Sequence, residues 1–340
     1  MSLGKKLRVG ILGCAGVAAK SAIPAFRNVF GLELVGIASR DSSKVAEWAE
    51  KFSLKAYSSY EELITDPTID AVYVPLPIGL HEQWVIAAAR QGKQILCEKS
   101  LGHSLDAVKR MMQACQDAGV VLFENFMCDA HPQHAVVEQA IVHDKIGKPV
   151  VFKSYFGFPP LQGQGFRYDL ALGGGALNDA GAYTVFMARK LFQEEPIAVT
   201  AVLDNGNYAV DVHGSALLEF SAGRTALVAF GFENMYQNNY ELWGTKGILR
   251  VGRAYSIPPE MKPQIELCVN EQMQEIVTSL ECLPANHFTL IFEQFRDVVE
   301  RNEQSEKKRY YDSILAQARV LEAVRISARD KRRVLLNEVI

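Results

Sequence analysis

The chain has 340 residues, 49% of them hydrophobic and 22% charged, with a net charge of −3. That length suits two domains rather than one core, and the near-neutral balance implies no basic surface overall, so nucleic acid and an anionic membrane are not expected partners. No apolar run approaches the roughly 18–20 residues of a membrane helix. The first residues lack the cleavage site of a signal peptide. Six scattered cysteines, none in a C-x-x-C pair, read as reduced, buried thiols of a cytoplasmic protein.

The first third alternates. Short apolar runs at 7–13, 32–39, 70–77, 94–99 and 120–125 are separated by amphipathic, helix-like stretches at 16–29, 42–52, 79–91 and 104–118. Continuous apolar strands between helices predict a parallel sheet covered on both faces, and right-handed crossovers make it doubly wound. After about residue 125 the rhythm changes. A helix is expected near Pro132, a strand over 148–158, and a glycine-rich loop and helix over 172–192. Alternating runs between 196 and 269 predict antiparallel strands with one buried face. Two helices, about 286–301 and 312–329, close the chain. The expected class is α/β: an N-terminal Rossmann domain with a doubly wound parallel sheet over 1–124, then an α+β domain with an open, mostly antiparallel sheet over 125–340.

The first strand–helix turn reads Gly13-Cys14-Ala15-Gly16-Val17-Ala18. A dinucleotide needs a tight turn there, close backbone approach and free N–H groups at a helix start. Alone the pattern is weak, since such turns also serve packing, but its place at the first βα turn favours a cofactor. Gly13, Cys14, Ala15, Val17 and Ala18 are the candidates to hold it. The second strand ends in Ser39 and Arg40, not in the acid that binds an NAD ribose. A hydroxyl and a planar cation suit a 2′-phosphate, so NADP(H) is favoured and NAD(H) is the alternative. The competing reading of Arg40 is a solvated strand cap.

Lys99 ends a strand at the carboxyl edge of the sheet, where open α/β folds bind ligands. Asp179 and Tyr183 are four apart and share a face if 178–192 is helical. If a bound dinucleotide passed a hydride to a ketone, the charge built on the ketone oxygen would be stabilised by a cation and a phenol. A nearby Lys99 would also lower the Tyr183 pKa. Read alone, both residues could equally be a surface lysine and a core tyrosine. Asn125, Arg167 and Tyr168 are weaker substrate candidates, and Arg167 suits an anionic substrate. His131 and His134 are three apart but have no third ligand at metal spacing, so no metal is expected.

In order, the glycine turn, "PLPIGLH" (75–81), "CEKS" (97–100), "NFMCDAHPQH" (125–134) and "GGGALNDAGAY" (173–183) resemble the glucose–fructose oxidoreductase/inositol dehydrogenase family, Gfo/Idh/MocA. The resemblance runs over nearly the whole chain. It implies that Glu98-Lys99 matches the E-K-P motif of the catalytic lysine, with Ser100 in the place of proline. It also assigns the proton to Tyr183, with Asp179 orienting it. Pro75, Leu76 and Pro77 would lie over the nicotinamide ribose, with His81, Glu98 and Lys99 in the same pocket. A narrower likeness, carried by "GCAGVAAKSAIPAF", "QGQGFRYDLALGGGALNDAGAY" and "FGFENMYQNNYELWGTKGILRV", is to NADPH-dependent 3-ketoreductases of nucleotide-linked sugars. The expected function is therefore reduction of a keto-sugar. Oxidation of a free sugar, polyol or cyclic dihydrodiol is the alternative, and a non-catalytic dinucleotide-binding regulator a remote one. The stretch "YQNNYELWGTKG" (236–247) is either a base platform or, as the family commonly uses its sheet, an interface for a homodimer or homotetramer.

Overall fold

The structure, a computed structural model, describes residues 6–160 and 165–340. Met1–Lys5 and Leu161–Gln164, which include the start of the "QGQGF" stretch, lie outside the described residues. The chain forms two compact units.

The first unit alternates β1 (Leu7–Leu12), α1 (Ile23–Asn28), β2 (Leu32–Ala38), α2 (Ser42–Phe52), β3 (Lys55–Tyr57), α3 (Tyr60–Thr65), β4 (Ala71–Val74), α4 (His81–Arg90), β5 (Gln94–Glu98), α5 (Leu105–Asp117) and β6 (Leu122–Asn125). The strands pair in parallel in the order β3-β2-β1-β4-β5-β6. Strand order reverses between β1 and β4, which makes their carboxyl ends a switch point where such sheets bind ligands. Strand β4 is buried at every position, as expected of a sheet covered on both faces.

The second unit holds α6 (Pro132–Val142), β7 (Pro149–Gly157), α7 (Ala182–Phe192), β8 (Ala198–Asp204), β9 (His213–Glu219), β10 (Thr225–Gly231), β11 (Gln237–Gly244), β12 (Gly247–Gly252), β13 (Gln264–Glu271) and β14 (Gln274–Ser279). After α8 (His287–Arg301) and α9 (Gln304–Asp330), the short β15 (Val334–Leu335) completes its sheet. The strand order is β14-β13-β12-β11-β7-β10-β9-β8-β15, antiparallel except for the parallel pair β7–β10. One face packs on α7. The other exposes Tyr155, Val202, Leu227 and Trp243.

The division differs from a cut between 124 and 125. The first unit runs to Met127 and takes back His287–Leu315, while Ala316–Ile340 belong to the second. The cause is the apolar stripe Phe288, Ile291, Phe292, Phe295 and Val298 on α8. Phe292 stacks on Phe26 of α1 at 3.9 Å and meets Tyr73 of β4 edge-on at 5.9 Å. Among the described residues, no helix is long and apolar enough to cross a membrane, and all six cysteines are buried free thiols.

Candidate active site

The turn after β1 depends on Gly13. Its φ is +111°, and a Cβ would stand 2.7 Å from a Leu76 methyl, so a side chain there meets both strain and a clash. Its N–H donates to the Ala38 carbonyl at 2.8 Å, tying the turn to the end of β2. Cys14 and Ala18 are buried, Ala15 is half-buried and Val17 exposed. Nothing would lie within 4 Å of a Cβ at Gly16, so the turn has open space above it. Burial pushes the Cys14 thiol up against the opposing effect of a hydrogen bond with Ser39.

At the end of β2, Arg40 is exposed and interacts with the Tyr60 phenol, whose pKa burial raises. The neighbouring acid, Asp41, is engaged elsewhere. It caps α2, accepting the Ser43 and Lys44 N–H groups at 3.0 and 3.1 Å and the Ser43 hydroxyl at 2.6 Å. The Ser43 hydroxyl and the N–H groups hold its carboxyl below the usual range. The edge of β2 thus presents a hydroxyl and a guanidinium, with its carboxylate turned into a helix cap. That donor set fits a phosphorylated ribose.

Pro75, Leu76 and Pro77 follow β4. His81 opens α4 fully buried, with Nε2 2.8 Å from the Leu76 carbonyl and Nδ1 3.0 Å from that of Leu101. Burial lowers its pKa. Its ring ties the loop after β4 to the loop after β5. In the latter, Lys99 is 9% and Ser100 1% exposed, and the peptide between them is cis. Glu98 turns inward: one carboxylate oxygen accepts the Tyr73 phenol at 2.6 Å and the Asn125 amide at 2.7 Å. Burial raises the Glu98 pKa and these bonds oppose it. Asn125, the last residue of β6, is fully buried, and its contact with Glu98 joins the ends of β5 and β6.

In the second unit a π-helical turn, Leu177–Gly181, leads into α7. Asp179 and Tyr183 lie on this one helical run, as their spacing predicts. Asp179 pairs with Arg167. Tyr183 is 6% exposed and packs against Phe156 and Tyr255, ring centres 5.4 and 5.7 Å away. Tyr168 stacks near Tyr208 at 4.8 Å, and both phenols reach Glu233, at 3.4 and 2.8 Å. His131 caps α6. His134 has both ring nitrogens engaged, by the Tyr240 hydroxyl at 2.9 Å and the Ala254 carbonyl at 3.0 Å. Neither arrangement is that of a metal ligand, and no cluster of three such residues occurs among the described residues. The stretch 236–247 divides between faces: Asn238 and Tyr240 are buried, while Gln237 and Trp243 are exposed.

Sequence reasoning missed Tyr73, Tyr60 and Glu233. Tyr73 did carry a signal, a phenol inside an apolar strand, which when buried usually finds a partner.

A Rossmann sheet with a glycine turn at its switch point, followed by an open-sheet domain, defines a two-domain dinucleotide-binding protein. The chain matches the description "oxidoreductase family, NAD-binding Rossmann fold" of Gfo/Idh/MocA over residues 7–126, and the C-terminal domain of that family over 134–250. It belongs to the Gfo/Idh/MocA oxidoreductase family. The dTDP-3,4-didehydro-2,6-dideoxy-alpha-D-glucose 3-reductase of Actinomadura kijaniata is 34% identical over 95% of this chain and 96% of its own. A D-xylose 1-dehydrogenase (NADP(+)) of Haloferax volcanii is 40% identical over 74% of this chain and 77% of its own. The solved 3-ketoreductase of Actinomadura kijaniata in complex with NADP and TDP-benzene superposes with a TM-score of 0.87, at 33% identity, over 95% of this chain and 98% of that one. Solved variants of that ketoreductase replace a tyrosine with phenylalanine and a lysine with alanine.

Proposed function

We propose that the protein is an NADP(H)-dependent reductase of a nucleotide-linked 3-keto hexose. The observation that carries this is the likeness, over 95% of the chain, to a 3-reductase of a dTDP-sugar. The cofactor end agrees: Ser39 and Arg40 would hold the 2′-phosphate, and Asp41 is occupied as a helix cap. Gly13, Cys14, Ala15, Val17 and Ala18 would hold the pyrophosphate, with Pro75, Leu76 and Pro77 beside the nicotinamide ribose. When bound, the reduced nicotinamide supplies the hydride. Lys99 polarises the ketone and stabilises its developing charge. Tyr183 donates the proton to that oxygen. Asp179, paired with Arg167, orients the group, and Arg167 and Tyr168 border the substrate. The apolar side chains on the open sheet face support a homodimer or homotetramer through that sheet.

A second reading, oxidation of a free sugar, is favoured by the likeness to the xylose dehydrogenase. The deciding assay follows NADPH absorbance with matched free and nucleotide-linked 3-keto sugars, and NADP+ reduction with aldoses. Turnover of the linked ketone alone supports the reductase. Turnover only of an aldose with NADP+ replaces it with the second reading. Arg40→Ala is expected to cut the preference for NADPH over NADH by about tenfold or more, since a charge-assisted bond contributes about 1.5–3 kcal/mol. An unchanged preference removes Arg40 from the cofactor site.

A further inference from the structure

The helical run that carries Asp179 and Tyr183 has no local cap. Its N-cap is Ala176, which offers no side-chain acceptor, yet the first N–H groups of a helix need partners. They find them 34 residues further along the chain. The Asp211 carboxylate accepts the Leu177 N–H at 2.6 Å, and the Asp211 carbonyl accepts the Ala176 N–H at 2.8 Å. The approach depends on Gly175, whose φ is +115° and where a Cβ would stand 2.4 Å from the other Asp211 oxygen. The next residue is fixed as well. Asn178 accepts from the Arg325 guanidinium at 2.6 Å and donates to the Gly173 and Gly174 carbonyls at 3.0 and 3.2 Å.

We infer that Asp211 is a positioning residue: from the loop between β8 and β9 it sets the rotation and height of the helix start on which Asp179 and Tyr183 stand. A carboxylate also suits that end of a helix electrostatically. Three consecutive residues, 176, 177 and 178, are held from outside the helix just before Asp179. A slip of one hydrogen bond there would swing both side chains, and displacement of about 1 Å costs on the order of 100-fold in rate. The inference rests on the reading that Asp179 and Tyr183 serve the reaction.

The test compares Asp211→Ala, Asp211→Asn and Gly175→Ala by two readouts. One is amide hydrogen exchange across 176–183. The other is steady-state reduction of the keto-sugar, with NADPH affinity by fluorescence as the control. Asp211→Ala is expected to speed exchange at Ala176 and Leu177 about tenfold or more and to lower kcat about 10–100-fold, with NADPH affinity within about twofold. Asp211→Asn, which keeps an acceptor, restores most of both. Gly175→Ala, which dislodges the carboxylate without removing it, reproduces the loss and keeps the test open if Asp211→Ala does not fold. Unchanged exchange and unchanged kcat in Asp211→Ala overturn the inference. So does equal failure of Asp211→Asn and Asp211→Ala, which would show that no acceptor-dependent positioning is involved. If the wild-type chain reduces no keto-sugar, the functional reading fails, and the exchange data alone decide the role of Asp211.

Discussion

Glu98 and Lys99 are neighbours of opposite charge with different surroundings. Glu98 is committed inward to Tyr73 and Asn125, which braces the strand end on which Lys99 stands. Lys99→Ala and Tyr183→Phe are each expected to lower kcat by about 100- to 10,000-fold, the range of a lost general acid or electrostatic stabiliser. NADPH affinity, read by fluorescence titration, is expected to persist in both. Full activity of either variant removes that residue from the mechanism. Lys99, Asp179, Tyr183, Gly13 and the Ser39–Arg40 pair were candidates in the sequence because a motif or a local spacing marks them. Tyr73 and Asp211 were not. Their partners lie 25 and 34 positions away, and only the folded sheet brings them together.

At the scale of elements, the strong periodic segments were readable and the weak ones were not. Strand β3 has three residues, two of them exposed, and α3 has six; neither has a period to detect. Strand β14 is exposed throughout, so no alternation betrays it. Helix α8 shows a clear apolar stripe, but a stripe says only that some surface will cover it, not which. That α8 serves the first unit follows from Phe292 on Phe26 of α1 and Tyr73 of β4. Phe292→Ala is expected to lower stability by about 3–5 kcal/mol, the usual cost of emptying a buried aromatic site. The midpoint of urea unfolding in the full chain checks it. A loss under about 1 kcal/mol would mean that the stack contributes little to holding α8.

For the whole molecule, the parallel-then-antiparallel plan was legible because the pattern of the strands changes from continuous to alternating near residue 125. The return of the chain to the first unit was not, since it has no local mark. Acid stability is also a property of the whole. Burial drives His131 down to about 4 and lowers His81 as well. A depressed folded pKa gives stability that is present above the unfolded value near 6.5 and is lost as pH falls toward about 4. For His131 the difference corresponds to about 3 kcal/mol, at about 1.4 kcal/mol per pKa unit. Glu98 and Asp211, whose pKa values are raised, act in the opposite sense. The contribution of His131 is therefore isolated by His131→Asn, which keeps a side-chain cap for α6. The variant is expected to lose less stability between pH 7 and 5 than wild type in chemical denaturation. Parallel curves would assign the acid sensitivity to other groups.

The six buried thiols have a practical meaning beyond redox chemistry. None of them is more than 8% exposed, so a thiol-modifying reagent gains full access only as some part of the fold opens, and each cysteine is a clock for its own neighbourhood. Cys14 sits in the glycine turn and times the opening of that turn; Cys97 and Cys115 time the first sheet and its α5 cover. Cys128, Cys268 and Cys282 do the same for the second unit. The native sequence thus carries its own set of labels, distributed over both units, for watching where this enzyme loosens and where a bound nucleotide tightens it.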